Sequence, residues 1–286
     1  MKSPVVQLQN SPLLLSTTMS SRSVAKAADV LELWYNLLKQ EEHYLTELPR
    51  NKTKLICRSK LITWMYNLVD SYSLDRDLVA IAASYMDRYI SKTSPVDDWG
   101  YMYQQVGITS LYLALKIYRE NGKFAGVSSF ASLSRGLFTE KDIIRMEIVM
   151  LNELEWSMHP PTVHTFSTML LAFIPRGACS PFSRRSMFER IKFLLELCIT
   201  VPFFIDKRPS NIAIGAFMEI MESEEQPNVS TDHQAHFKHS LYVLAGVHCN
   251  SDEVAVCRDE MKNVMSHQDV QVGKKKNDST STTVTP

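Results

Sequence analysis

Tyr101-Met-Tyr-Gln-Gln-Val-Gly-Ile-Thr-Ser-Leu-Tyr-Leu-Ala-Leu-Lys-Ile-Tyr118 carries one charged side chain, Lys116. Its apolar residues do not alternate strictly with polar ones, so the segment predicts a helix and not a strand. Helical geometry puts Lys116 on a face with Gln105, Thr109 and Tyr112, off the fully apolar stripe. A lysine there can snorkel to solvent, and a solvated helix edge is its plain reading. Outward from this segment the same three-to-four spacing predicts helices near 28–48, 55–71, 76–91, 127–135 and 140–154. Further helices are expected near 162–173, 182–200, 209–222, 232–247 and 251–265. The fold class is therefore all-α, in a chain with only nine glycines.

Two helix starts are marked by chemistry. Thr139 with Asp142 three residues on reads as a capping box, and Pro209 suits a first helical turn. Pro160-Pro161 stops the sixth helix, because proline donates no amide hydrogen and restricts the residue before it. A domain boundary is expected there. Residues 1–27 are rich in Ser and Thr, with Pro4 and Pro12, and 267–286 run through Lys274-Lys-Lys276 into Ser and Thr. Neither end shows apolar periodicity, and both read as flexible tails.

Glu147 is the anomaly of the sixth helix. It falls within a stripe made by Ile143, Met150, Leu151 and Leu154, where an unpaired carboxylate is costly. Either a partner docks on the stripe and brings a cation, or an internal Lys or Arg neutralises the charge.

Composition excludes several classes. The 286 residues are 45% hydrophobic, enough for one large domain or two smaller ones. Lys plus Arg equals Asp plus Glu at 31 each, so no global field favours nucleic acid or an anionic membrane. Cys57, Cys179, Cys198, Cys249 and Cys257 are odd in number and form no Cys-x-x-Cys, which fits a reduced compartment and an expected location in nucleus and cytoplasm. No apolar run is long enough to span a bilayer. His233, His236 and His239 step around a helix and scatter as metal ligands, so a solvated polar face is expected and no metal site. Nucleotide, hydrolase and metalloprotease motifs are absent, which argues against an enzyme and against a cofactor.

Seven short motifs occur in a fixed order. Arg58-Ser-Lys-Leu-Ile-Thr-Trp64 is followed by Tyr85-Met-Asp-Arg-Tyr89, Gln104-Gln-Val-Gly107, Ala114-Leu-Lys116, Arg145-Met-Glu147, Leu154-Glu-Trp156 and Pro161-Thr162. Together they resemble the cyclin box, and Lys207-Arg-Pro-Ser-Asn-Ile-Ala213 is similar to a stretch of the second cyclin repeat. The resemblance implies two tandem five-helix bundles with an N-terminal helix. The expected organisation is an N-terminal cyclin box with its preceding helix at 28–160, a C-terminal cyclin-like domain at 161–266, and tails outside these limits.

The same resemblance implies a non-catalytic subunit that binds and activates a cyclin-dependent protein kinase, in a heterodimer and in cell-cycle control. Lys116 and Glu147 match the family pair that holds the kinase backbone and a kinase cation at its regulatory helix, which would answer the Glu147 charge, while Leu113, Ile117, Leu151, Trp156 and Met158 fall where cyclins present apolar side chains to it. Arg58 and Asp87 match an internal ion pair. A substrate- or inhibitor-docking patch of the family corresponds to Cys57, Lys60, Leu61, Trp64 and Gln104. There Lys60 replaces an apolar group and Asn67 a carboxylate, so docking of substrate arginine is not expected to work in the ordinary way. Trp156 and the short leading segment resemble D-type cyclins, although the Leu-x-Cys-x-Glu motif of many D-types is missing. The alternative is a cyclin-fold scaffold or a transcription-factor-like protein without kinase activation. Direct nucleic-acid binding is not expected, because Lys274-Lys-Lys276 is the only basic cluster.

Overall fold

The computed structural model describes residues 21–47, 52–93, 99–118, 126–174, 177–223 and 229–280. Of the tail expected at residues 1–27, residues 1–20 lie outside them. Among the described residues there are eleven α-helices and no strand. They are α1 (Ser21–Glu41), α2 (Lys52–Ser71), α3 (Asp77–Lys92), α4 (Trp99–Tyr118), α5 (Gly126–Leu133) and α6 (Glu140–Glu153), then α7 (Val163–Phe173), α8 (Pro181–Thr200), α9 (Pro209–Met221), α10 (Thr231–Ala245) and α11 (Asp252–Thr280). The last helix runs past the expected stop near 265 as far as Thr280, and α1 starts at Ser21, earlier than expected.

Local chemistry sets the boundaries. The Thr139–Asp142 capping box forms in both directions, with Thr139 N–H donating to Asp142 Oδ2 at 2.9 Å and Asp142 N–H to Thr139 Oγ1 at 3.3 Å. The Thr139 hydroxyl, which donates to Asp142 Oδ2 at 2.7 Å, and the Thr139 amide hold the Asp142 carboxyl below its usual range. Thr162, Ser180 and Ser230 cap α7, α8 and α10 in the same manner, each accepting an amide hydrogen from the first turn.

Two hydrophobic cores result, one inside α2–α6 and one inside α7–α11. In the first, α3 and α4 are buried along most of their length, which is why α4 tolerates a single charge. Close packing has one specific requirement there: a Cβ on Gly107 of α4 would sit 2.9 Å from Leu61 Cδ2 on α2. In the second, α9 is enclosed, with Ala213, Ala216, Phe217 and Met218 fully buried.

The helix expected to belong with the first bundle packs on the second. Trp34 of α1 is fully buried, edge-on to Phe166 at 5.3 Å and to Phe173 at 6.1 Å. Beyond it, the buried Glu41 accepts from Ser210 N–H at 3.0 Å and from Ser210 Oγ at 2.7 Å, which satisfies a free amide at the start of α9. Sequence periodicity could not locate this, because it gives the apolar face of a helix and not the bundle that covers it.

The bundles are joined at the end of α8, whose last carbonyls have no intrahelical donor. Arg58 Nη1 donates to Ile199 O and Ser59 Oγ to Thr200 O, both at 2.8 Å. Arg76 Nη2 meets Glu196 at 2.8 Å, while its Nη1 holds Asp70.

Candidate partner-binding site

Helix α6 presents two apolar faces. Ile143, Met150 and Leu154 point into the first core, and Glu147 lies among them at 7% exposure. The cation its burial requires is Lys116 of α4, with Nζ 2.6 Å from Glu147 Oε1. Of the two readings left open by the sequence, an internal lysine supplies the charge. The pair is asymmetric: the carboxylate side chain is 9% exposed and the lysine side chain 53%. Lys116 Nζ also stands 5.5 Å from the Tyr112 ring centroid, and hydrogen bonding to Glu147 raises the ammonium pKa above its usual value. Lys116 therefore has ammonium surface left for a further acceptor.

The second face of α6 is open. Ile144 and Ile148 are exposed, and Leu151 is half-buried one turn further on. Trp156, just past the helix, is 69% exposed, and Ile117 on α4 is half-buried. These side chains lie on α4, α6 and the turn after α6, the two helices that carry the ion pair and the segment that follows them. Leu113 and Met158 are different, since both are core residues of the first bundle and support this surface from beneath. Ile144 and Ile148 were missed in the sequence. Their signal is the width of the apolar arc on α6, which exceeds what a helix covering one core needs.

The turn that carries Trp156 is unusual. α6 ends in a Schellman motif, with Trp156 N–H donating to Leu151 O and Glu155 N–H to Asn152 O, both at 3.0 Å. The left-handed position that commonly holds glycine is Glu155, at φ 52°, and Trp156 follows at φ 58°. Each non-glycine residue in that region costs about 1–2 kcal/mol.

Arg58 and Asp87 form a two-pronged pair, Nε to Oδ1 and Nη2 to Oδ2 at 2.8 Å each, both side chains being nearly buried. Since Arg58 also reaches Ile199 O, the pair joins two bundles as well as two helices. Of the expected docking patch, Leu61 is buried, Cys57 and Trp64 are half-buried, and Lys60, Asn67 and Gln104 are exposed on the α2–α4 surface. Lys60 thus contributes an exposed cation and no carboxylate stands at 67.

Comparisons agree with this architecture. Residues 32–159 match the family "Cyclin, N-terminal domain". The chain is 26% identical over 223 residues to G1/S-specific cyclin-E1 of Gallus gallus, covering 75% of this chain and 54% of that one. It is 26% identical over 190 residues to Cyclin-D3-3 of Arabidopsis thaliana, covering 66% and 52%. The chain thus spans about half the length of these curated relatives, and the equal identities favour neither the E-type nor the D-type. Among solved structures, a viral cyclin from herpesvirus saimiri superposes with a TM-score of 0.60 at 20% identity, over 81% of this chain and 97% of that one. A chain of the CAK complex from Chaetomium thermophilum bound to ATP-gamma-S superposes with a TM-score of 0.53 at 14% identity, over 86% and 76%. Residues 32–159 thus resemble a cyclin N-terminal domain, and the described residues share an all-helical cyclin fold.

Proposed function

We propose that the chain is a regulatory subunit that binds a cyclin-dependent serine/threonine protein kinase and shifts it toward its active conformation, in cell-cycle control. One observation carries the reading: the half-exposed Lys116 is anchored by the buried Glu147 of α6, the helix that also presents Ile144, Ile148 and Leu151 and leads into the exposed Trp156. A kinase helix with an apolar face and a free backbone carbonyl or carboxylate fits it. The matched domain and the names of the relatives, G1/S-specific cyclin-E1 and Cyclin-D3-3, support the cell-cycle setting.

The mechanism is a population shift. A kinase whose regulatory helix is displaced lacks its own lysine–glutamate pair around ATP, and binding holds that helix in the competent position. Moving such an equilibrium from mostly inactive to mostly active requires roughly 5 kcal/mol of differential affinity. A charge-assisted contact at Lys116 with several apolar anchors can supply this. The chain itself takes no chemical role. Residues 28–160 form the kinase-binding domain and 161–266 the second cyclin-like domain, acting in nucleus and cytoplasm. Docking of substrates or inhibitors at Cys57, Leu61 and Trp64 is disfavoured for arginine-bearing partners by Lys60.

The test is capture from a cell extract with the wild-type chain beside Lys116→Ala/Glu147→Ala, then a protein-kinase assay of the retained material. Activity that comes down with wild type and disappears with the variant supports the reading. A folded chain that retains no kinase leaves a scaffold role in its place.

A further inference from the structure

The left-handed pair at Glu155 and Trp156 is held by a row of side chains on one helix. Tyr85, Arg88 and Lys92 recur on α3 at the three-to-four spacing that puts them on a shared face. Lys92 Nζ donates to Glu153 O at 2.7 Å, and Arg88 Nη1 donates to Ser157 O at 2.7 Å. Arg88 Nη2 reaches Leu154 O at 3.4 Å, and Tyr85 Oη donates to Met158 O. Four carbonyls between 153 and 158 are therefore gripped from below, and the Arg88 guanidinium lies 4.5 Å from the Tyr44 ring centroid. Just beyond, Gln40 Nε2 donates to His159 O at 2.7 Å.

A bulky residue at positive φ persists only where its surroundings over-determine it. Helix capping alone does not explain this turn. A Schellman motif needs one left-handed residue, whereas here two stand in succession and the second carries a large, mostly exposed indole. We propose that Tyr85, Arg88 and Lys92 are positioning residues that hold the 153–158 turn in its strained form and fix the direction in which the Trp156 side chain leaves the backbone toward the partner. The backbone of the turn is then ordered before binding, so less of that cost falls on the complex. The positioning stands on the hydrogen bonds and the backbone, while its purpose rests on the kinase-binding reading above.

Two substitutions test it without removing a core group: Tyr85→Phe deletes one hydroxyl, and Lys92→Met keeps the stem of a half-exposed lysine. The full chain labelled with 5-fluorotryptophan gives up to four ¹⁹F lines, one per tryptophan, and Trp156→Phe assigns the relevant one. In Tyr85→Phe/Lys92→Met the Trp156 line is expected to broaden or split while the others keep their positions. Affinity for a purified cyclin-dependent kinase catalytic subunit that wild type activates should fall about tenfold, as expected for two lost hydrogen bonds. Adding Glu155→Gly, which accepts the left-handed conformation without strain, should sharpen the line and restore most of the affinity. A Trp156 line unchanged in the double variant overturns the positioning, whatever the kinase does. If instead the line responds but Trp156→Ala binds that kinase as wild type does, the positioning stands and the anchor reading of Trp156 falls.

Discussion

Lys116 and Glu147 are 2.6 Å apart, yet the lysine side chain is half in solvent and the glutamate almost wholly out of it. The two halves of the pair should therefore not be worth the same. Lys116→Met leaves a nearly buried carboxylate without its cation and should cost about 1–2 kcal/mol, the exposure of the lysine reducing what a fully buried pair would lose. Glu147→Gln keeps a hydrogen-bond acceptor and should cost less than about 1 kcal/mol, and Lys116→Met/Glu147→Met should lie close to wild type. Urea unfolding of the four proteins checks the ordering. Equal losses from the two single substitutions would show that the pair is solvated on both sides.

Arg58 presents the opposite case, with both partners nearly buried and a third bond to Ile199 O in the other bundle. Arg58→Met strands the Asp87 carboxylate and frees a carbonyl of α8, so a loss of about 3–5 kcal/mol is expected. Calorimetry should also show the two bundles melting less cooperatively, because one of their joints is gone.

Two groups where the bundles meet, the half-buried Asp77 and the buried His164, titrate in opposite senses. Burial pushes the Asp77 carboxyl up to about 6, against a hydrogen bond from Thr162 that lowers it, and one of its oxygens has no partner. Burial pushes His164 down to about 4, with Asp75, Arg76 and Lys192 nearby and its Nε2 unpartnered. A raised carboxylate contributes stability at low pH that is lost as pH rises through 6, whereas a lowered histidine contributes stability at neutral pH that is lost as pH falls from 6.5 toward 4. The two slopes offset each other in wild type between about pH 4 and 6. Asp77→Asn should thus gain about 2 kcal/mol at pH 7.5 and nothing at pH 4, while His164→Gln should flatten the loss on acidification. Melting temperatures of the three proteins from pH 4 to 7.5 decide it. A wild-type profile that either substitution leaves unchanged would contradict the assignment.

Glu41 ties α1 to the second bundle through Ser210. Glu41→Ala leaves the Ser210 amide and hydroxyl without their acceptor and should cost about 2 kcal/mol in chemical denaturation. A neutral outcome would mean that water replaces the carboxylate at this helix start.

Helix count, the Thr139 cap, the Pro209 start and the Lys116 and Glu147 positions were legible because each is a local pattern, set by spacing along one helix or by a residue's own backbone restriction. Partner choice was less so. That Glu147 needed a cation followed from its neighbours on α6, but that the cation is Lys116 required α4 to be placed beside it. The packing of Trp34 on α7, the grip of Tyr85, Arg88 and Lys92 on the 153–158 carbonyls, and the left-handed Glu155 and Trp156 depend on tertiary contacts that no single-helix period encodes. Leu113 and Met158 illustrate the converse, since an apolar residue in a motif reads alike whether it lines a surface or the core behind it.

The most direct test of the central claim is a titration of purified cyclin-dependent kinase catalytic subunits, one at a time, with the wild-type chain and with a Lys116→Ala/Glu147→Ala/Trp156→Ala variant shown by its melting curve to be folded. Phosphorylation of a common peptide substrate is the readout. At least one kinase is expected whose activity rises and saturates with wild type and stays at its basal rate with the variant. Activation of that kinase by both proteins alike, or of no kinase by the folded wild-type chain, would contradict it.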